Sequence, residues 1–508
     1  MSDQVLELEG KPVDKVMDTD VVVVGGGGGG TWAALQLARH GAGVIVIEKG
    51  ATYLWSNTAN IGGTTFCNSR IQKEQGIEID TMALFKHMMK FAEGGVNGKI
   101  VKRYLDESHE MIDYWLDLGA QVMMGDDRYD SGFVTVHFFL QPNKMELLRD
   151  DAVSKGAQFI YNTSGKKIIM DGDRAVGVLA QNKEGEVIQI NAKYVVIATG
   201  GFLHNPEMMK RYFGAANKIH PAGMPGPTGD GIKMALEAGA IMDTNFALST
   251  LSDMSGYNAR YSKIAQFTNY RTRRFETFIF ANTGTMLVDN QGKRFINEFQ
   301  LATSPLAYGS AILARTGYYY AIFNQALVDY YHEHTPFDRI GRDEELWKVG
   351  PIMFDRVQEM IYEDLQTAID EGFAWKADSL EELQETLEMD SLVETVDNYN
   401  VMYDAGADTE FGCERDFMIP VKEGPYYAVQ FQCGALVTMG GIKTDDICRA
   451  LNEDNRPVPG LFVVSSDNGS AFSSPYYDIG GTSSGLAMAT GYIAGNEIAK
   501  MMGLSLKE

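Results

Sequence analysis

Six consecutive glycines, Gly25 to Gly30, stand between a run of four valines and the segment TWAALQLARHGA. Taken alone they would serve as a flexible linker. Their flanks exclude it. Val21 to Val24 has the all-apolar character of a strand buried on both faces of a parallel sheet, and the apolar spacing after Gly30 is that of a helix. Gly25, Gly27 and Gly30 satisfy G-x-G-x-x-G, and Ala34 lets helix and strand pack closely. Such a turn brings backbone N–H groups at a helix N-terminus up to a pyrophosphate. A second strand, GVIVIEKG, ends at Glu48, where a carboxylate can accept hydrogen bonds from ribose hydroxyls. Strand, turn, helix, strand and acid in this order predict a Rossmann-like dinucleotide-binding α/β domain.

The chain of 508 residues is long enough for two or three domains and for burying a large cofactor. It has no apolar run of the roughly 18 residues needed to span a bilayer. Its first residues, MSDQVLELEGKPVDKV, lack the pattern of a secretory signal, so a cytoplasmic location is expected. A formal net charge of -24 argues against a nucleic-acid or anionic-membrane partner. Cys67, Cys413, Cys433 and Cys448 form no C-x-x-C pair, which removes cysteine-rich iron–sulfur, haem-attachment and zinc-ribbon motifs. His332 and His334 lack the i, i+4 spacing of a zinc helix and read as a surface pair, so no metal is expected.

Further motifs follow in order: SNTANIGGTT, KYVVIATGGFLHNPEMMKRY, GPTGDGIKMALEAGA, GKRFINEF, TMGGI and VPGLFVVSSDNG. With them the chain resembles, over nearly its whole length, the flavoprotein family that holds fumarate reductase and succinate dehydrogenase flavoprotein subunits together with the 3-ketosteroid dehydrogenases. The resemblance implies FAD. It also implies a fold in which a Rossmann-like FAD-binding domain is split in sequence, residues 18–243 and 434–508, around an inserted α+β capping domain, residues 244–433. Helical spacing in DRVQEMIYEDLQTAIDEGF and SLEELQETLEMDSLVETVDNYNVMY agrees with that insertion. The expected cofactor residues are Gly25, Gly27, Gly30, Glu48, Lys49, Asn57, Thr58, Gly63, Thr199, Gly200, Asp230, Asp467, Ser483 and Ser484. On its own, Asp230 reads as the N-cap of the helix it precedes. Asn57 stands where the membrane-bound fumarate reductases carry a histidine bonded to flavin, so non-covalent FAD is expected.

The substrate positions depart from the carboxylate reductases. Ala302 replaces the proton-donating arginine, Val437 a substrate histidine and Asp478 a carboxylate-binding arginine. A dicarboxylate would be repelled by such a site. The run Arg271, Arg273 and Arg274 could supply a relocated cation, but reads first as a solvated basic patch. Tyr477 and Gly481 match the tyrosine and glycine that, in ketosteroid dehydrogenases, engage the substrate ketone. Two donors on a carbonyl oxygen stabilise charge developing there, which favours hydride addition to an enone or loss of an α-hydrogen from a ketone. The general acid or base is open among Tyr308, Tyr476, Asp478 and His137. The expected activity is therefore hydride transfer between flavin N5 and a carbon next to the carbonyl of a small, neutral substrate, with an unspecified electron donor or acceptor. The rivals are an ene-reductase of unsaturated carboxylates and an electron-relay flavoprotein subunit.

Overall fold

The computed structural model describes residues 7–506 apart from 61–62, 126–130, 141, 215–218, 222, 254–283, 300–317, 335–337 and 339–354. After a short hairpin of β1 (Glu7–Leu8) and β2 (Lys11–Pro12), the main sheet is assembled from both ends of the chain. Its strands are β3 (Lys15–Val24), β4 (Val44–Ile47), β8 (Gln158–Ile160), β9 (Thr163–Asp171), β10 (Arg174–Asn182), β11 (Val187–Ile197), β18 (Arg449–Leu451) and β19 (Pro457–Val463). The order is β18-β19-β11-β3-β4-β8, with β10 pairing β11 and β9 pairing β10.

The centre of this sheet is parallel. Val21 to Val24 align with Val44 to Ile47 on one side and with Tyr194 to Ile197 on the other. All four valines are at most 3% exposed: Val21 and Val23 share a cluster with Trp32 and Leu35, Val22 and Val24 one with Ile168, Val178 and Ile232, so no position on the strand can meet water. One covering helix, α1 (Gly28–Arg39), lies directly against the C-terminal helix α9 (Thr482–Met501). A Cβ at Gly491 would sit 1.9 Å from the Gly29 carbonyl oxygen, so the two backbones touch where only hydrogen fits. Helices α2 (Thr81–Phe91) and α3 (Gly98–Asp117) begin at Asp80 and Asn97, whose side chains accept first-turn N–H groups. Helix α4 (Asp230–Glu237) starts close to the ATGG turn.

A three-stranded sheet of β5 (Gly63–Thr65), β6 (Val122–Met124) and β7 (Val136–Phe139) lies beside these helices. The remaining sheet contains β12 (Ile219–Pro221), β13 (Ala247–Asp253), β14 (Met286–Val288), β15 (Tyr318–Asn324), β16 (Ala374–Ala377) and β17 (Tyr426–Met439). Around it are α5 (Gln325–Glu333), α6 (Asp355–Asp370), α7 (Leu380–Thr386) and α8 (Leu392–Ala405). The stretch expected as helical from Ser379 is two helices, because Glu388 takes a positive φ of 52° between α7 and α8. This part has its own core and a buried ionic knot. Arg294, with no exposed side-chain surface, binds Glu298, Asp408 and Glu410.

The junction expected at 433/434 falls inside β17. That strand is continuous through it, pairing β12 and β13 with its C-terminal half and β15 and β16 with its N-terminal half.

Candidate FAD and substrate site

A cleft opens where the carboxyl ends of β3, β4 and β11 meet the N-termini of α1, α4 and α9. This is where an open parallel sheet binds ligands, since several helix N-termini and their unsatisfied N–H groups converge there. The turn after β3 is made by glycine necessity. Gly25 has φ +109°, and a Cβ there would lie 2.3 Å from the Ala198 carbonyl oxygen. Gly27 is the N-cap of α1 and has no side-chain cap. A Cβ at Gly27 would meet nothing nearer than Ser56 Cβ at 3.7 Å, so this backbone faces open space on the cleft wall. Gly30 lies behind the lining, in contact with the Gly25 carbonyl, and serves the turn's closure.

Glu48 follows β4 and stands on the cleft with its carboxylate fixed. Oε2 accepts from Gly26 N at 2.8 Å and Oε1 from Gly50 N at 2.7 Å, leaving lone pairs turned to further donors. Lys49 donates to Thr228 Oγ1 at 2.6 Å and to Asp230 Oδ2 at 2.9 Å. Burial pushes the Asp230 carboxyl up, but the Lys49 ammonium and Thr228 hydroxyl outweigh it and hold its ionisation below the ordinary value. Asp230 is not the helix N-cap expected from its position. Gly229, at φ +79°, caps α4 without a side chain, and Asp230 in the first turn spends its oxygens on Lys49 and Thr228. Its charge still favours the helix N-terminus.

Thr199 and Gly200 line the cleft on the ATGG turn, and Asp467 sits behind them. Fully buried, Asp467 accepts from the N–H groups of Thr199, Gly200 and Gly201 and from Thr199 Oγ1. Burial raises its ionisation to about 6 against the lowering effect of those donors. It shapes the turn without facing the cleft. Asn57 and Thr58 are on the wall, where Asn57 donates to Leu436 O at 3.1 Å and accepts from Met224 N at 2.7 Å. Gly63, on β5 opposite Phe138, is not part of the lining. Ser483 and Ser484 reach the cleft from the first turn of α9, and Ser484 shares a hydrogen bond of 3.1 Å with Thr64. Ser465, Ser466, Trp55 and Ser56 also line it; they carry no spacing signal that sequence reading could use.

The segment before α9 distributes its candidates differently. Tyr476 accepts the Ser483 N–H at 2.8 Å, so its hydroxyl caps the helix that borders the cleft. Tyr477 is 1% exposed, lies against Phe91 at 6.2 Å between ring centroids, and among the described residues its hydroxyl makes no well-formed hydrogen bond. Burial pushes its ionisation far up, with Ser473 the one polar group opposing. Tyr477 is not on the cleft lining. Gly481, at φ +78°, is the N-cap of α9, and a Cβ there would fall 2.8 Å from Thr64 Cα. Asp478 pairs through both oxygens, at 3.0 and 2.9 Å, with Nε2 of His87 from α2, a residue that sequence reasoning did not single out. His137 is core. Its Nδ1–H donates to Thr135 O, Nε2 accepts from Ser69, and burial pushes its ionisation down to about 4. Tyr308, Ala302, Arg271, Arg273 and Arg274 lie outside the described residues.

Open backbone at Gly27, the N-terminus of α1 without a side-chain cap, a preset carboxylate and hydroxyls at the far wall fit a dinucleotide with a polar ring at its other end. Fold and cleft thus define a dinucleotide-binding flavoprotein. The chain belongs to the family described as FAD binding domain, which matches residues 20–483, and it is an FAD-dependent oxidoreductase. It is 26% identical to vinyl phenol reductase of Lactiplantibacillus plantarum, over 95% of this chain and 96% of that protein. It is 27% identical to NADH:fumarate oxidoreductase of Klebsiella pneumoniae, over 95% of this chain and 48% of that longer protein. Among solved structures, 3-ketosteroid delta1-dehydrogenase from Sterolibacterium denitrificans in complex with 1,4-androstadiene-3,17-dione superposes with a TM-score of 0.72. That match has 20% identity and covers 95% of this chain and 100% of the other. Among the described residues no helix is long and apolar enough to cross a membrane, and no cluster of three or more His, Cys, Asp or Glu could hold a metal.

Proposed function

We propose that the protein saturates, or introduces, a C=C bond next to the carbonyl of a neutral substrate, using non-covalently bound FAD. The observation that carries this reading is the charge of the cleft. Among its described lining residues the one cation is Lys49, and that ammonium is already held by Asp230. Val437 on the wall is apolar, and the charged residue next to the α9 N-terminus is the carboxylate of Asp478. A substrate carboxylate finds no counter-charge there, whereas a neutral carbonyl needs only donors.

When bound, FAD supplies hydride exchange at its N5. The chain's own residues hold and shield the reactants. Gly25, whose N–H is spent on the Ile47 carbonyl, shapes the turn; Gly27 would offer its backbone N–H to the pyrophosphate, Glu48 would take the ribose hydroxyls, and Ser483 and Ser484 would meet the ring. The amide of Asn57, tied at both ends to backbone, offers the flavin no nucleophile. The Tyr477 hydroxyl lies behind the cleft lining, with Ser473 the one polar group near it among the described residues; it would become a donor to the substrate oxygen once the site rearranges around substrate, with the Gly481 N–H as its companion. Strands β13 to β16 and the first part of β17 fall within the proposed cap of residues 244–433, which would close over the substrate.

The test is anaerobic. Reduced protein is mixed with a panel of enones and a panel of unsaturated acids, and flavin absorbance is followed. Reoxidation by enones, faster than by the acids, is expected. Rapid reoxidation by fumarate with none by any enone overturns the reading. Acid precipitation is expected to leave a colourless pellet and a yellow supernatant.

A further inference from the structure

We infer that His87, oriented by Asp478, is the proton donor of the reduction. This rests on the reading above that the substrate is a C=C bond beside a carbonyl. The two side chains are separated by 391 residues in sequence, yet Nε2 lies 3.0 and 2.9 Å from the two carboxylate oxygens. A carboxylate accepts only, so the proton it receives from a neutral ring is on Nε2 and the free lone pair is on Nδ1. Among the described residues Nδ1 has no hydrogen-bond partner. In the protonated ring that atom carries the proton to be given away.

The pair lies beside the cofactor cleft rather than on its lining. Asp478 stands on the turn that leads through Gly481 to Ser483 and Ser484 on the cleft wall. The side chains of His87 and Asp478 are 32% and 29% exposed, so the pair is neither sealed in the core nor loose on the surface. Helix α2 holds it there. Phe91, one turn beyond His87, packs on Tyr477, and Phe133 lies 5.7 Å from the imidazole. Tyr476, by contrast, spends its hydroxyl on the Ser483 N–H, and the Tyr477 hydroxyl is pushed by burial toward keeping its proton and acting as a neutral donor.

The step balances. Saturating a C=C bond conjugated to a carbonyl takes one hydride and one proton. The hydride, supplied by the reduced cofactor, brings two electrons to the β-carbon, and the π pair moves onto the α-carbon. The proton leaves Nδ1 of His87 for the α-carbon, and the ring is left neutral with its Nε2–H still on Asp478. Dehydrogenation is the reverse, with Nδ1 accepting the proton.

The experiment uses the holoenzyme and His87→Gln, His87→Phe and Asp478→Asn. Anaerobic reoxidation of the reduced variants is measured with the best C=C acceptor of the wild type and with ferricyanide, which takes electrons without a proton to carbon. For both His87 variants the C=C rate is expected to fall about 100-fold or more, with the ferricyanide rate within twofold and the FAD content unchanged. An unchanged ratio of the two rates overturns the proposal. Independently of turnover, 15N-histidine NMR of the oxidised wild type is expected to show neutral His87 protonated at Nε2, a preference lost in Asp478→Asn. A neutral Nδ1–H tautomer in the wild type overturns it. If only unsaturated acids reoxidise the wild type, the neutral-carbonyl reading fails while the His87 variants, assayed with those acids, still decide the proton donor.

Discussion

Replacing Tyr477 by phenylalanine separates what the hydroxyl does for the fold from what it does for the substrate. In the protein as folded, that hydroxyl is shut from solvent and, among the described residues, has only the Ser473 hydroxyl near it, so most of the desolvation cost of a polar group goes uncompensated. Such a group costs about 1–3 kcal/mol. The ring itself is well placed, 1% exposed and packed on Phe91, and phenylalanine keeps that packing. Tyr477→Phe is therefore expected to leave stability unchanged or to raise it. Globular proteins unfold with an entropy of about 2 cal/mol/K per residue, so for a chain of 508 residues 1 kcal/mol corresponds to about 1 °C in Tm. A rise of about 1–3 °C in a thermal melt of the holoprotein is the outer expectation. Turnover should move the opposite way. Losing one donor to a developing oxyanion costs about 100- to 1000-fold in kcat, read as the rate of flavin reoxidation by an enone. Opposite signs are the signature of a donor held for a ligand. A clear fall in Tm with turnover intact would refute the reasoning, because it would show that the hydroxyl is bonded within the fold and idle in the reaction.

Other substitutions probe the scaffold. Asp467 ionises at about 6 in the folded protein against an ordinary 3.8, so the folded state binds its proton more tightly than the unfolded chain. Its stabilising contribution is full below about pH 4 and lost as pH rises through about 6, a change of about 3 kcal/mol. Chemical denaturation of Asp467→Asn should accordingly lose that pH slope. Gly27→Ala should fold, since its Cβ faces open space, yet lower the ratio of flavin to protein absorbance. Gly25→Ala should also lower stability, because its Cβ collides with the Ala198 carbonyl. Arg294→Met leaves the buried Glu298 and Asp408 without their counter-charge and should cost about 3–5 kcal/mol in denaturant titration.

The cofactor half of the site was legible because its chemistry is written locally. A buried parallel strand must be apolar throughout, a backbone that meets a pyrophosphate must be glycine, and the acid that meets the ribose must end the next strand. Those constraints fall within Val21 to Glu48, and the structure puts Gly25, Gly27 and Glu48 together on one wall. The proton side was not legible. His87 sits in TMALFKHMMKF, where nothing distinguishes it from a surface histidine; its meaning comes from Asp478, which only the tertiary fold brings to it. Asp230 shows the reverse error. An acid before a helix is a sound capping signal, but a lysine two elements away in the fold outbids the helix N–H groups for its oxygens. The expected junction near residue 433 does not coincide with a break because one fourteen-residue strand can pair different neighbours of the same sheet at its two ends without any change in composition.

The contact of Gly29 with Gly491 sets an order of assembly. Helix α1 and the glycine turn are made long before the helix that covers them. Until α9 arrives, the apolar face of α1 and an unfinished cofactor wall are exposed together, the condition under which nascent chains aggregate or recruit chaperones. Cofactor capture thus waits for α9, and FAD, by binding only the completed fold, stabilises it by mass action.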